Sequence, residues 1–238
     1  MSGEREKLER QGHGLGGPLT AYGLPLTFFL MFIELTDLLR CPNPHDESFL
    51  VLLPDKMDGR SVRTGQLGCP VCGRTFQLVE GVFDAGGAPP DSRGNTGLTG
   101  ENVSVLMGLS GPGGYVALVG PVASLWQEVA ALNPGVALVA INPPKPVTDS
   151  AGVSVVRGGM IPIKSRTLRG VVLGKPYADD PIWVRDAARL VLPGLRVVGE
   201  GDQPTEDLID VMASAGGVWV GTGKREIKSV SREEKRER

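Results

Sequence analysis

The chain has 238 residues, of which 41% are hydrophobic and 22% are charged, and its formal net charge at pH 7 is −2. These values are typical of a soluble globular protein with one or two domains. They argue against strong non-specific binding to nucleic acid, because no excess of positive charge is present to neutralise phosphates.

The N-terminal residues 1–30 show neither helical nor strand periodicity. We interpret them as a flexible extension or as the product of an upstream start codon. The apolar stretch LPLTFFLMFIEL at residues 24–35 is shorter than the roughly 20 residues that a membrane-spanning helix needs. No small-residue cleavage site follows its apolar core before Glu34 and Asp37, so it does not match a signal peptide. We therefore expect a cytoplasmic protein without a membrane partner.

A compact first unit is predicted over residues 31–84. The apolar run at residues 49–53 is typical of a strand that closes at Pro54. Residues 75–83 alternate between apolar and polar side chains and predict one further strand. Residues 85–100 hold few side chains that a core can bury, so they are predicted to form a linker.

All three cysteines of the chain lie in this first unit, together with one of its two histidines. Cys69 and Cys72 form a C-x-x-C pair followed by Gly73, and this spacing lets two thiolates bind one ion. Cys41 and His45 supply a second pair of ligands from an earlier turn. Two such pairs separated by a hairpin predict a tetrahedral Cys₃His zinc site in a zinc ribbon. Because protein ligands fill all four positions, the predicted zinc is structural.

Three other readings of these cysteines stay open. A thioredoxin-like redox pair would leave Cys41 and His45 without a role, and a disulfide fits poorly with an odd number of cysteines in the cytoplasm. The thiols can also be buried side chains without a metal, next to a surface histidine. Within the zinc reading, Asp46 or water can replace His45 as the fourth ligand.

The second half of the chain, over residues 101–223, has a different pattern. Short and continuous apolar runs alternate with amphipathic helical stretches, which indicates a parallel sheet covered by helices on both faces. The last part, around Ala215-Gly216-Gly217, predicts two strands of a hairpin. The mixed-charge tail at residues 224–238 is interpreted as solvated. The predicted strands are residues 115–119, 136–141, 153–156, 169–173 and 195–199, and the predicted helices are residues 121–132 and 179–192.

Both halves resemble parts of methyltransferase systems. The first unit reads LLRCP and then CPVCGRTFQLVEGVF, which resembles the zinc-ribbon domain of the activator subunit of tRNA and release-factor methyltransferases. The second half contains, in order, YVALVG, VALVAIN, GGMIPIKSRTLRGVVL and DAARLVLPGLRVVGE, and this order resembles class I S-adenosylmethionine-dependent methyltransferases. The resemblance implies a Rossmann-like, doubly wound and mostly parallel sheet with a C-terminal antiparallel hairpin. It also implies a small N-terminal zinc-ribbon β domain and S-adenosylmethionine as cofactor.

The residues at the family's cofactor positions depart from its pattern. Gly120 is a single glycine in the turn after the first strand, where the family has two or three. Asn142 stands where the family's acidic residue binds the ribose hydroxyls. Gly158 or Gly159 replaces one family aspartate, and Arg169 replaces another, so that all these changes are expected at the cofactor edge of the sheet.

These departures predict a degenerate S-adenosylmethionine site and a role in binding a partner protein or RNA, or in regulation. The alternative is an active methyltransferase that holds the cofactor through Gly120, Asn142 and the nearby backbone. A purely structural zinc protein is a third reading. No other catalytic group is predicted, because His45 is assigned to the metal, His13 lies in the extension, and Asp179 or Asp180 is interpreted as a helix cap.

Overall fold

The computed structural model describes residues 31–90, 94–148, 153–205, 207 and 209–223. The predictions made for the extension at residues 1–30 and for the tail at residues 224–238 lie outside this part of the chain. Among the helices of the described part, none is both long and apolar enough to cross a membrane.

The described residues form short helices and strands that alternate through the second half of the chain. The strands are β1 (Met31–Phe32), β2 (Val51–Asp58), β3 (Ser61–Gly68), β4 (Thr75–Val79), β5 (Val82–Asp84), β6 (Tyr115–Val119), β7 (Ala137–Ile141), β8 (Ser154–Arg157), β9 (Leu168–Leu173), β10 (Val191–Glu200), β11 (Ile209–Ala215) and β12 (Val218–Gly223). The helices are α1 (Ile33–Thr36), α2 (Gly100–Met107), α3 (Trp126–Leu132), α4 (Lys145–Thr148) and α5 (Pro181–Leu190), and 3₁₀ turns cover Gly120–Leu125 and Tyr177–Asp179.

The strands belong to a single sheet. Its order is β1-β3-β4-β5-β8-β7-β6-β9-β10-β12-β11, and β2 pairs with β3 outside this path. The neighbours from β5 to β10 in this order run parallel, and β12 is antiparallel to both β10 and β11. The predicted Rossmann-like α/β fold, with its closing antiparallel hairpin, is confirmed.

The strand order reverses between β6 and β9. From β6 the chain moves outward to β7 and β8, and it then returns to place β9 on the other side of β6. In open α/β sheets, ligands bind outside the carboxyl ends of the strands at such a switch point. We use the name switch-point crevice for the space at the carboxyl ends of β6 and β9, next to Gly120 and Gly174.

Both faces of the sheet are buried at the central parallel strands β6, β7, β8 and β9, which explains why these strands are mostly apolar. In β6, Ala117 and Val119 pack into one core with Trp183 and other residues of α5. Val116 and Leu118 point to the opposite core, which includes residues of α2 and α3. A strand covered on two sides in this way has no solvent-facing positions, so the alternating pattern of an exposed sheet is lost.

The sheet joins the two halves of the chain. Strand β5 of the front unit pairs in parallel with β8, and Val82 lies opposite Val155. One core cluster also contains side chains of both halves, including Leu67 and Phe83 from the front and Ile163 from the second half. We call residues 31–84 the front module, and its strands extend the parallel sheet.

Two local predictions for the front module are wrong. Strand β2 continues through Pro54, which pairs with Gly65, because β2 has a neighbour on one side only and an edge strand tolerates a residue without an N–H group. Residues 75–83 do not form one strand, since β4 and β5 are joined by a turn in which Glu80 and Gly81 have φ angles of 47° and 74°. Two consecutive positive φ angles are typical of a type I′ hairpin turn.

The predicted helices are confirmed with one change. Asp180 caps α5, since its carboxylate accepts a hydrogen bond from the N–H of Ile182 at 2.9 Å. The helix predicted over residues 121–132 begins as a 3₁₀ turn at Gly120–Leu125 and becomes α-helical at Trp126. The linker prediction is also incomplete, because Ala85 and Leu98 at its two ends are buried.

Candidate functional site

The four predicted metal ligands come together at the open end of the β2–β3 hairpin, where β2 begins and β3 ends. The ligand atoms of Cys41, His45, Cys69 and Cys72 all lie within 4.8 Å of one another. The sulfurs of Cys41 and Cys72 are 3.8 Å apart, and His45 Nε2 lies 3.4 Å from Cys69 Sγ. Cys41 and Cys69 are buried, whereas Cys72 is exposed.

These distances fit a tetrahedral zinc ion. Zn–S bonds of about 2.3 Å place two sulfurs about 3.8 Å apart, and Zn–N bonds of about 2.0 Å give a slightly shorter S–N separation. Three thiol groups and one imidazole are the donors that zinc prefers in structural sites. The residues present therefore suit zinc in both chemistry and spacing.

Neighbouring groups hold the ligands in place. His45 Nδ1 donates to the carbonyl of Asp46 at 2.7 Å, which leaves Nε2 as the ring nitrogen that faces the sulfurs. The side-chain amide of Asn43 donates to Cys72 Sγ at 3.3 Å. Gly73 has a φ of +70°, which permits the tight turn in which its N–H donates to the carbonyl of Cys69. These contacts orient the ligands as outer-shell groups do around metal ions.

The thiol groups differ in acidity. A hydrogen bond from the backbone N–H of Arg74 is the main cause that lowers the pKa of Cys72 to about 6. Burial raises the pKa of Cys41 to about 11. Burial also raises the pKa of Cys69, but hydrogen bonds from the backbone of Cys72 and Val71 outweigh it and bring this pKa below its ordinary value. The lowered pKa values of Cys72 and Cys69 favour the thiolate, which is the form that binds metals.

An ionic network connects the metal ligands to the second half of the chain. Asp186 on α5 is buried, accepts a hydrogen bond from the N–H of Ile161 at 2.7 Å, and forms an ion pair with Arg189. Arg40, next to the ligand Cys41, lies 3.8 Å from Asp186. Glu47, in the same loop as His45, accepts a 2.7 Å hydrogen bond from the hydroxyl of Ser165. The loop that carries two metal ligands is therefore bound to the loop between β8 and β9.

An aromatic side chain lies against Gly120 at the switch-point crevice. Gly120 has a φ of +70°, and a Cβ atom added there would lie 2.5 Å from Tyr177 Cδ2. The ring of Tyr177 is fully buried and contacts the ring of Trp183 edge to face, with 4.6 Å between their centroids. The N–H of Gly174 donates to the carbonyl of Val119 at 3.0 Å, so that β6 and β9 remain paired beyond their ends. The backbone at Gly120 is thus bare, but an aromatic ring of the same chain lies against it.

The second predicted cofactor residue is engaged by the backbone. Asn142 is buried, and its Oδ1 accepts from the N–H of Gly158 while its Nδ2 donates to the carbonyl of Gly158, both at 2.9 Å. Because the backbone donor fixes which end of the amide is oxygen, an aspartate at this position would place an oxygen beside a carbonyl oxygen. The local structure thus suits an amide better than the acidic residue of the family.

A segment of the predicted linker runs along the same edge of the sheet. The N–H of Ala85 donates to the carbonyl of Arg157 at 2.8 Å, and the N–H of Gly159 donates to the carbonyl of Gly86 at 2.9 Å. Further along, the carbonyl of Pro90 accepts a hydrogen bond from the hydroxyl of Tyr177 at 3.2 Å. We call residues 85–90 the crossing segment, because they run from the carboxyl end of β8 to the loop that follows β9.

The prediction that Arg169 lies at the cofactor edge is wrong. Arg169 is the second residue of β9, so it lies near the amino ends of the parallel strands, at the edge of the sheet opposite the crevice. Its guanidinium donates to the carbonyls of Ser110, Gly111 and Gly113, at 2.6, 2.9 and 2.7 Å. Arg169 therefore holds the glycine-rich turn before β6 and takes no part in the crevice.

Replacement of Gly120 by alanine tests how closely Tyr177 is packed. The change adds strain from the positive φ and a clash with the ring, and we expect a loss of about 2–5 kcal/mol in the free energy of unfolding. Gly111 has the same φ of +70° and no atom within 4 Å of an added Cβ, so Gly111→Ala is the matched control for backbone strain alone. Equal losses in urea unfolding of both variants would show that the ring is not packed against Gly120.

Comparison with known proteins gives structural similarity only in part of the chain. No family model matches, and no curated protein matches. A candidate methyltransferase of an antibiotic biosynthesis pathway from Anabaena variabilis is 17% identical, covers 42% of this chain and 43% of its own, and has a TM-score of 0.33. An S-adenosylmethionine-dependent methyltransferase from Aquifex aeolicus is 13% identical, with 51% and 87% coverage and a TM-score of 0.37.

One further structure is a complex between the Haloferax volcanii methyltransferase activator and a candidate methyltransferase. It is 12% identical, covers 41% of this chain and 50% of that chain, and has a TM-score of 0.32. This chain thus spans less than half of the Anabaena protein and half of the chain in the complex. The α/β fold itself is defined by the strand order of this chain and does not depend on these similarities.

Two residues that shape the site have no sequence signal of their own. Tyr177 is an aromatic residue in a loop, and Asp186 lies within an ordinary amphipathic helix. Their positions follow from packing between distant segments. For Asp186 the sequence shows only the apolar residues around it, which indicate burial without indicating a role, and the neighbours of Tyr177 in the sequence are mostly polar.

Proposed function

We propose that this chain is a zinc-binding, methyltransferase-like protein that acts by binding a partner, without using S-adenosylmethionine. The contact between Tyr177 and Gly120 carries this proposal. The crevice at the reversal of strand order is the place where a doubly wound sheet binds ligands, and here a buried aromatic side chain lies against Gly120.

Asn142 and the crossing segment support the same reading. Both hydrogen-bonding atoms of the Asn142 amide that face Gly158 are used by its backbone. The crossing segment is bound at one end to β8 and at the other to Tyr177. A cofactor would have to displace these contacts, and each displaced buried hydrogen bond costs free energy.

The zinc site is proposed to be structural and of the zinc-ribbon kind. Four protein ligands leave no open position for water or substrate, which is the difference between structural and catalytic zinc. Arg40 and Glu47 flank the ligands and contact α5 and the loop between β8 and β9. We infer that the ion stabilises both the front module and its attachment to the second half.

A protein is the partner that the surface favours. Phe49, Val51 and Leu53 expose 54%, 45% and 60% of their surface, and the last two lie on the edge strand β2. Apolar side chains of this kind are covered by protein partners, whereas RNA would require a positively charged surface. The net charge of −2 also disfavours RNA.

Isothermal titration calorimetry tests the proposal. Zinc-loaded, full-length protein is titrated with S-adenosylmethionine and, separately, with S-adenosylhomocysteine. We expect no measurable binding up to a ligand concentration of about 1 mM, which corresponds to a binding free energy weaker than about −4 kcal/mol. Binding with a micromolar dissociation constant would instead favour the alternative, an active methyltransferase.

A further inference from the structure

We propose that Tyr177 is a removable plug, and that its ring is the main obstruction that keeps an adenosyl ligand out of the switch-point crevice. This inference rests on the proposed function, because it requires that the natural chain does not bind S-adenosylmethionine. It goes further by naming the residue that closes the crevice and the class of ligand that the opened crevice would take.

The contacts of Tyr177 divide into an apolar ring and a polar end. The ring lies against the backbone of Gly120 and makes an edge-to-face contact with the ring of Trp183. The hydroxyl donates to the carbonyl of Pro90. Tyr177 therefore contacts both the turn after β6 and the crossing segment, and without its side chain the hydrogen bond to Pro90 is lost.

The space that the ring occupies is suited to a planar base. Buried apolar cavities left by the removal of a large side chain bind aromatic molecules of matching size. An adenine ring is planar and apolar on its faces, and its amino group can donate a hydrogen bond to a carbonyl, as the Tyr177 hydroxyl does to Pro90. Gly120 is the position at which the absence of a side chain lets a ligand approach the backbone.

Gly174 and Asn142, the other residues of interest at the carboxyl edge of the parallel strands, do not place a large side chain at Gly120. Gly174 packs against Pro121 and Val122 in the 3₁₀ turn that follows β6, with an added Cβ 3.1 Å from Val122 N, and this contact joins two loops without placing a large side chain at Gly120. Asn142 contacts Gly158 beyond β8, on the far side of β7 from the ring. The obstruction directly above Gly120 is thus the Tyr177 ring.

The test is calorimetric titration of Tyr177→Ala with S-adenosylhomocysteine, beside the natural chain and Tyr177→Phe. We expect binding to Tyr177→Ala that is at least about tenfold stronger than to the natural chain. Tyr177→Phe keeps the ring and loses only the hydroxyl, so we expect it to bind no better than the natural chain. Phenol serves as a second probe, because it reports an opened cavity independently of the adenosyl ligand.

Each outcome separates this inference from the proposed function. If the natural chain binds S-adenosylhomocysteine, both fail. If no chain binds it, or if Tyr177→Ala binds phenol alone, the plug inference is wrong while the proposed function stands. Zinc content and circular dichroism establish that the variant is folded. If Tyr177→Ala does not fold, Tyr177→Leu is used, because leucine retains apolar contact with Trp183 and still removes the ring from Gly120.

Discussion

Replacement of Cys69 by serine is expected to abolish zinc binding and to destabilise the protein strongly. Cys69 is buried, and its sulfur is 3.4 Å from His45 Nε2. An ion that binds only the folded state stabilises it by about 4 kcal/mol when the free ion is present at 1,000 times its dissociation constant. We expect Cys69→Ser to lose at least this amount, measured as the free energy of unfolding in urea.

A chelator provides the internal control for this experiment. Removal of zinc should lower the unfolding midpoint of the natural chain to that of Cys69→Ser and should leave the variant unchanged. Asn43→Ala, which removes only the amide donor to Cys72, should weaken zinc binding by about 10–100-fold without abolishing it. Equal chelator effects on the natural chain and on Cys69→Ser would mean that the four residues do not hold the ion together.

Replacement of Asp186 by alanine is expected to cost about 3–5 kcal/mol of stability. Asp186 is 8% exposed, and its carboxylate balances Arg189 and the nearby Arg40 while accepting the N–H of Ile161. Its removal leaves Glu47, which lies 3.6 Å from Arg40 and 3.7 Å from Arg189, to balance both positive charges, and it leaves one buried N–H without an acceptor. The loop between β8 and β9 would then be held to α5 mainly by Arg189, which donates to the carbonyls of Ile161 and Ile163.

An exposed ion pair serves as the matched control for Asp186. The carboxylate of Glu34 accepts a 2.8 Å hydrogen bond from Arg60 Nε, and the side chains of Glu34 and Arg60 are 45% and 79% exposed. We expect Glu34→Ala to cost no more than about 1 kcal/mol, because solvent screens such pairs. If urea unfolding gave the same loss for both variants, the buried network would not stabilise the junction between the halves.

The parallel strands could be predicted because a strand that is buried on both faces consists of consecutive apolar residues. Tyr115–Val119 and Ala137–Ile141 are continuous apolar runs, and their observed bounds differ from the predicted ones by at most one residue. The cap at Asp180 was predictable for a similar reason, since capping depends on residues adjacent in the chain. The four candidate metal ligands were also predicted from spacing, and the structure brings their side chains together.

Contacts between distant segments were not predictable in this way. Nothing in Val82–Asp84 indicates that it pairs with β8, because three residues carry too little pattern to select a partner. The position of Arg169 was misjudged because a residue that opens a parallel strand lies at the amino edge, whereas ligands bind at the carboxyl edge. Tyr177 reaches Gly120 only because the 3₁₀ turn after β9 folds back over the end of β6.

One continuous sheet connects the Cys/His cluster of the front module to the switch-point crevice. The front module supplies the metal ligands and also β5, which pairs with β8 and leads into the crossing segment. The crossing segment, which follows the front module, therefore runs along the edge of the sheet at which Tyr177 lies against Gly120. We expect loss of the metal to loosen this edge as well, because Arg40 connects the ligand loop to α5 and Glu47 connects it to the loop after β8.

Crystallography at the zinc absorption edge, on a crystal soaked in S-adenosylhomocysteine, tests the central claim most directly. We predict one anomalous peak bonded to the sulfurs of Cys41, Cys69 and Cys72 and to Nε2 of His45, with the Tyr177 ring against Gly120 and no ligand density there. The account would be contradicted by the lack of a peak among these four residues, or by the adenosyl ligand bound beside Gly120 with Tyr177 displaced.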